Sequence, residues 1–145
     1  MKQEIKDYFD VATGYSFRLG SYLFVAQLVS GVRLYAPEEY WLLTDEDKKA
    51  MGCGPGKWGD YLVPDTMYGL NVQPSCSIHD TCYALGKTDE DKIIADVMML
   101  MNNLAIIQAK SWPLIRAARC YRAMSYFLAV SEGGEKAFWK GKTKP

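Results

Sequence analysis

The chain has 145 residues, 49% hydrophobic and 23% charged, and this composition predicts a single globular domain over residues 1–145. Seventeen basic and seventeen acidic residues cancel, so no uniform positive field favours nucleic acid as a partner. Four cysteines are too few for a disulfide scaffold, and the apolar segment 22–32 is shorter than the roughly 20 residues that span a membrane.

The first 50 residues are predicted to be helical. Residues 1–35 have a helical pattern that is interrupted by glycines at positions 14, 20 and 31. Pro37 suits the first turn of a short helical segment, and Thr44, with Asp47 three residues later, suits the N-cap of another helix. Because strand alternation is nowhere convincing, we expect a mostly α-helical fold.

The pattern changes between residues 52 and 74. Five glycines and three prolines fall within these 23 residues and exclude a continuous helix. A long structured loop is therefore predicted, within which a small hairpin stays an open alternative. Trp58, Tyr61 and Tyr68 give this loop apolar surface, so we expect it to pack down and be ordered.

Three helices are predicted after the loop. The first covers about residues 75–85 and stops at Gly86, and the second begins at Thr88, with Asp91 three residues later, and continues to about Lys110. Pro113 suits the first turn of the third helix, at about 112–132. Its large apolar residues are predicted to be core: Trp112, Ile115, Tyr121, Met124 and Leu128.

The only histidine, His79, lies on the first of these helices. His79 and Asp96 are equally far from the turn between the first two helices, so antiparallel packing brings them to matching heights. A carboxylate among apolar neighbours is costly unless it is paired, although an aspartate at a helix edge could also reach water. We predict that the two side chains make contact and that Asp96 orients His79 as a general base.

Asp80 follows the histidine directly and is predicted to face the glycine-rich stretch GCGPG at residues 52–56. Glycines allow successive backbone carbonyls to point inward. Carbonyl oxygens together with a carboxylate and water make up the about six to eight hard ligands that Ca²⁺ prefers. This combination predicts a calcium site between the loop and the helix.

GCGPG, followed by CSIHDTCY and an aspartate on the next helix, resembles the calcium-dependent secreted phospholipase A2 family over roughly residues 52–100. The resemblance implies a phospholipase A2-like core at about 52–110, in which two antiparallel helices carry His79 and Asp96 beside the calcium loop, with additional N- and C-terminal helices. It also implies that Tyr83 hydrogen-bonds Asp96. The implied calcium ligands are Asp80 and the carbonyls of Gly52, Gly54 and Gly56, and the implied disulfide joins Cys53 to Cys76.

The activity implied by the resemblance is calcium-dependent hydrolysis of the sn-2 ester of phospholipids, with a phospholipid membrane surface as substrate and with water activated by His79. The alternative is a non-catalytic structural or lipid-binding protein, for example a component of a phage or virus particle. A zinc site formed by Cys53, Cys76, His79 and Cys82 is disfavoured, because Cys76 and Cys82 lie roughly 120° apart around the helix.

The chain departs from the family pattern at several positions. Lys57 stands where the family often has a second glycine, and Ala95 replaces a cysteine that usually pairs with Cys82. Cys82 is therefore free or paired with Cys120. The N-terminus does not resemble a signal peptide, so export, association with a virus particle and the cytoplasm all stay open as locations. Three tryptophans are predicted to be packed rather than to form a membrane-docking surface: Trp41, Trp58 and Trp139.

Overall fold

The computed structural model describes residues 15–51 and 66–144. Within these ranges 62% of residues are helical, and two small antiparallel sheets accompany five α-helices. The strands are β1 Ser16–Leu19, β2 Tyr22–Val29, β3 Val32–Pro37, β4 Thr66–Met67 and β5 Leu70–Asn71. The helices are α1 Asp45–Ala50, α2 Gln73–Leu85, α3 Asp89–Lys110, α4 Pro113–Gly133 and α5 Glu135–Trp139, and a 3-10 helix covers Glu38–Leu42.

The predicted fold class is wrong, because residues 16–37 form a three-stranded antiparallel sheet in the order β1-β2-β3 rather than N-terminal helices. The chain is therefore not the mostly α, phospholipase A2-like fold that the motifs implied. Two of the three glycines that interrupt the predicted helix, Gly20 and Gly31, lie in hairpin turns, and Gly14 lies outside the described residues. Ser30 and Gly31, with φ of 51° and 81°, join β2 to β3 in the two-residue turn that suits strand twist.

The missing strand signal has a physical reason. The first five residues of β2 are all buried or half-buried, because both faces of this central strand are covered at that end. Such a strand is apolar throughout and shows no alternation of polar and apolar residues. A short apolar run of this kind cannot be distinguished from a buried helix by its periodicity.

The helical predictions from residue 37 onward are confirmed. Thr44 and Thr88 cap α1 and α3, each accepting a hydrogen bond from the backbone N–H three residues later. Asp91 completes a capping box at the start of α3, and Pro113 lies in the first turn of α4. A small hairpin, which the sequence analysis left open within the loop, is present, because β4 and β5 pair across residues 66–71.

The sheet and the helices share one hydrophobic core. Its fully buried side chains come from the sheet and from α2, α3, α4 and α5, and include Phe24, Leu34, Ile78, Met99 and Phe138. Tyr22 extends from β2 into this core and donates a hydrogen bond of 2.7 Å from its hydroxyl to the carbonyl of Cys82 in α2. The sheet therefore supports the α2–α3 pair directly.

Asp91 fastens the β1–β2 turn to the start of α3. Its carboxylate accepts hydrogen bonds from the backbone N–H of Ser21 at 2.9 Å and from the Ser21 hydroxyl at 2.6 Å, as well as from the N–H of Lys87 at 2.8 Å. Gly20, at φ +58°, lies against this carboxylate, and a Cβ there would be 2.5 Å from Asp91 Oδ1.

Asn102 makes a second link between α3 and the sheet. Its side-chain Oδ1 accepts a hydrogen bond of 2.9 Å from the backbone N–H of Tyr35, and its Nδ2 donates one of 2.8 Å to the Tyr35 carbonyl. Asn102 is 1% exposed. The carboxamide thus satisfies both backbone groups of one residue of β3.

Among the described residues, α3 is the one helix that is long and apolar enough to cross a membrane, with a mean hydropathy of 1.3 over 18 residues. Length and composition alone are weak evidence, because a core helix meets the same criteria. More than half of this window is buried within the protein, and Lys92, Asp96 and Asn102 all lie on buried positions of α3. We therefore treat α3 as a core helix.

Candidate functional site

The predicted contact between His79 and Asp96 is confirmed. The two residues lie on α2 and α3, and His79 Nε2 is 2.7 Å from Asp96 Oδ1. Both are buried, with 1% and 2% of their surface exposed. The tight turn at residues 86–88 aligns the two helices so that positions seventeen residues apart meet, as the spacing predicted.

Tyr83 joins the same carboxylate. Its hydroxyl donates a hydrogen bond of 2.6 Å to Asp96 Oδ1, and its ring lies 4.2 Å from the imidazole of His79. Burial and the neighbouring negative charge of Asp96 raise the pKa of Tyr83, so the hydroxyl stays protonated. Tyr83 therefore acts as a fixed donor to Asp96, as the motif implied.

The sequence analysis missed Lys92, which is a third donor to Asp96. Its Nζ lies 2.8 Å from Asp96 Oδ2 and also donates to the carbonyls of Val130 at 3.1 Å and Ser131 at 3.4 Å. The side chain is only 8% exposed. The signal was present in the sequence, because Lys92 precedes Asp96 by one helical turn and residues at that spacing interact.

The three donors determine the ionisation of Asp96. Burial alone would raise the pKa of this carboxyl group, but the hydrogen bonds from His79, Lys92 and Tyr83 outweigh it and hold the pKa below its ordinary value. An ionised carboxylate can only accept hydrogen bonds, so Nε2 of His79 carries the hydrogen. In the neutral ring, Nδ1 then holds the basic lone pair.

Only one of the predicted calcium ligands, Asp80, lies in the part of the chain that the structure describes. Asp80 is half-buried on α2, directly after His79, whereas Gly52, Gly54 and Gly56 lie outside the described residues, as does Lys57. Among the described residues, no group of three or more histidine, cysteine or acidic side chains could hold a metal ion. The calcium site therefore stays a prediction that rests on Asp80 and on the sequence of the loop.

The cysteines bear on the disulfide prediction and on the zinc alternative. Cys76 is disulfide-bonded, and its predicted partner, Cys53, lies outside the described residues. Cys82 and Cys120 carry free thiols, which excludes a bond between them. Burial raises the pKa of the Cys82 thiol. Because Cys76 is disulfide-bonded, it has no thiolate to offer to a zinc ion, which disfavours the zinc site.

The tryptophans differ in exposure. Trp41 is half-buried and donates from Nε1 to the carbonyl of Val25 at 3.0 Å, and Trp139 is half-buried against Phe138, so packing is confirmed for both. Trp58 lies outside the described residues. The prediction that the large apolar residues of the last long helix are core is wrong for four of the five, which are exposed: Trp112, Tyr121, Met124 and Leu128.

Comparison with protein-family models, with curated proteins and with solved structures found no match.

Proposed function

We propose that this protein hydrolyses the sn-2 ester of phospholipids in the presence of calcium. The observation that carries the proposal is the buried contact between His79 Nε2 and Asp96 Oδ1 at 2.7 Å, with Tyr83 on the same oxygen. It gives an imidazole a fixed orientation and a defined tautomer, which are what a general base requires. The motif resemblance supplies the substrate class.

In this mechanism the Nδ1 atom of His79 accepts a proton from a water molecule, and the hydroxide so generated attacks the ester carbonyl. The ring becomes positively charged as the proton arrives. The ionised carboxylate of Asp96, 2.7 Å from Nε2, stabilises that charge, while Tyr83 and Lys92 keep the carboxylate from rotating. No covalent intermediate with the protein is required.

Calcium would be held by Asp80 together with the carbonyls of Gly52, Gly54 and Gly56. A carboxylate and backbone carbonyls are hard oxygen donors, and their chemistry fits Ca²⁺. When bound, the ion supplies positive charge for the lipid phosphate and for the oxyanion that develops on the ester carbonyl. Asp80 adjoins the base in sequence, so the charge and the base would act on one substrate.

The second candidate is a non-catalytic lipid-binding or structural protein. The observation that favours it is the burial of the His79–Asp96 pair, together with Lys92, which already balances the charge of Asp96. Such a network is also what a stable core would use to satisfy two buried polar side chains.

Release of free fatty acid from phosphatidylcholine vesicles, with calcium and with a chelator, separates the two candidates. We expect release only with calcium, and a decrease of about a hundredfold or more in His79→Gln and Asp80→Asn. Asp89→Asn is the matched control, because Asp89 is an exposed aspartate at the start of α3. Calcium binding without any release would leave the non-catalytic candidate, and release unaffected by His79→Gln would exclude the proposed mechanism.

A further inference from the structure

The outer side of α4 is an apolar surface that no described part of the chain covers. Its residues, which we call the exposed face of α4, recur at alternating intervals of three and four and so form one stripe. Leu114 is 95% exposed, Tyr121 74% and Leu128 52%. The complete stripe is Leu114, Ala117, Tyr121, Met124 and Leu128.

Within the part of the chain that the structure describes, the stripe faces away from the core. The opposite side of α4 packs against the core through Ala123, Tyr126 and Val130, which are all buried. A leucine that is 95% exposed adds no burial to the folded state and exposes apolar surface to water. Contiguous apolar patches of this kind mark interaction sites.

The residues around the stripe carry positive charge, which favours a partner with negative charge. Between Asp96 and Glu132 the sequence contains no aspartate or glutamate but four cations, Lys110, Arg116, Arg119 and Arg122. In the described part of the chain none of these four forms an ion pair. The region therefore combines an apolar stripe with uncompensated positive charge.

A recess at the corner between α3 and α4 brings both properties together. It has a volume of about 410 Å³ and is lined by Lys110, Trp112, Leu114, Ile115 and Arg119. Arg119 is held in place there by hydrogen bonds from its guanidinium to the Ser111 hydroxyl at 3.0 Å and to the Tyr68 carbonyl at 2.8 Å. Trp112, 80% exposed, stands at the same corner.

We propose that the exposed face of α4 and this corner recess dock on an anionic phospholipid surface, with Trp112 and Leu114 entering the interface and the four cations supplying positive charge near the headgroups. Apolar side chains flanked by arginine and lysine are the composition of helices that lie in a membrane interface. A second copy fits less well, because antiparallel pairing about Tyr121 would bring the Arg122 side chains of the two copies close together. The inference rests on the proposed function in that lipid is the substrate.

The test measures binding to vesicles of phosphatidylcholine, with and without phosphatidylglycerol, in the presence of a chelator so that no hydrolysis occurs. We expect binding to the anionic vesicles that weakens with salt, with a blue shift of tryptophan fluorescence that is reduced in Trp112→Phe. Leu114→Ser combined with Leu128→Ser should weaken binding at least about tenfold. Arg122→Gln should weaken it about fivefold. The matched controls are Leu28→Ser and Leu42→Ser, because these leucines are also exposed but lie on β2 and on the 3-10 helix.

Equal binding by the Leu114/Leu128 variant and by the controls would overturn the inference. So would a dimer in solution that these same substitutions dissociate, because the stripe would then be covered by a second copy. Hydrolysis of a short-chain phospholipid kept monomeric, measured in parallel, tests the proposed activity separately. Vesicle binding without any hydrolysis would exclude the proposed activity and leave the docking surface in place. Hydrolysis of the monomeric substrate by a Leu114/Leu128 variant that no longer binds vesicles would support both the activity and the docking surface.

Discussion

Replacing Lys92 by methionine removes a buried cation while it retains most of the volume of the side chain. Lys92 Nζ lies 2.8 Å from Asp96 Oδ2, and the lysine and aspartate side chains are 8% and 3% exposed. Removing one partner of a buried ion pair costs about 3–5 kcal/mol, because the other charge stays buried without compensation. Asp96 keeps two donors, His79 and Tyr83, so we expect a loss of about 3 kcal/mol.

Urea unfolding followed by circular dichroism measures this loss as a shift of the midpoint at constant slope. Lys144→Met is the control, because Lys144 pairs with Asp89 and Glu135 at an exposed position, and we expect no measurable change there. Combining Lys92→Met with Asp96→Asn should cost less than the sum of the two single substitutions. A loss below about 1 kcal/mol in Lys92→Met, with additive effects, would refute the ion-pair argument.

Three further predictions concern one contact within the site and the link between the β1–β2 turn and α3. Tyr83→Phe removes a donor to the ionised Asp96 and should lower the free energy of unfolding by about 1.5–3 kcal/mol in urea; an unchanged midpoint would contradict this. Burial alone would raise the pKa of Asp91, but hydrogen bonds from the β1–β2 turn and the start of α3 hold it below its ordinary value. The stability that Asp91 provides is therefore complete above its unfolded pKa of about 4 and is lost as the pH falls through its lower pKa in the folded state. Asp91→Asn should flatten the pH dependence of the free energy of unfolding below about pH 4. Parallel pH profiles would count against it. Gly20→Ala should destabilise the protein more than Gly31→Ala does. Both glycines have positive φ, but only a Cβ at position 20 meets a neighbour, 2.5 Å from the Asp91 carboxylate. Equal thermal midpoints of the two variants would show that this contact relaxes.

The contact at the centre of the candidate site could be predicted because it depends on residues close together in the sequence. Helix periodicity and a tight turn fix which residues of α2 and α3 face one another, so the contact between His79 and Asp96 followed from counting positions. Caps made by threonine with an aspartate three residues later located the starts of α1 and α3 in the same way. These features depend on neighbours in sequence or across one short turn.

The sheet and the exposed side of α4 were not predicted, because they depend on tertiary packing that nearby residues in the sequence do not specify. The N-terminal half of β2 is apolar on both faces because tertiary packing covers both, and this removed the alternation by which a strand is identified. The opposite error occurred on α4, where apolar residues at helical spacing form the exposed side while smaller residues such as Ala123 face the core. Periodicity identifies an apolar face but not the partner that covers it.

The carboxamide of Asn102, which bonds both backbone groups of Tyr35, occupies one point of the edge of β3. A sheet margin with free N–H and C=O groups recruits strands from other molecules and starts ordered aggregation. Asn102 occupies two of those groups from within the same chain. Because Asn102 is 1% exposed, α3 itself covers this point of β3 and shields it from strands of other molecules. Asn102→Leu removes both hydrogen bonds and should lower the free energy of unfolding in urea by about 1–3 kcal/mol.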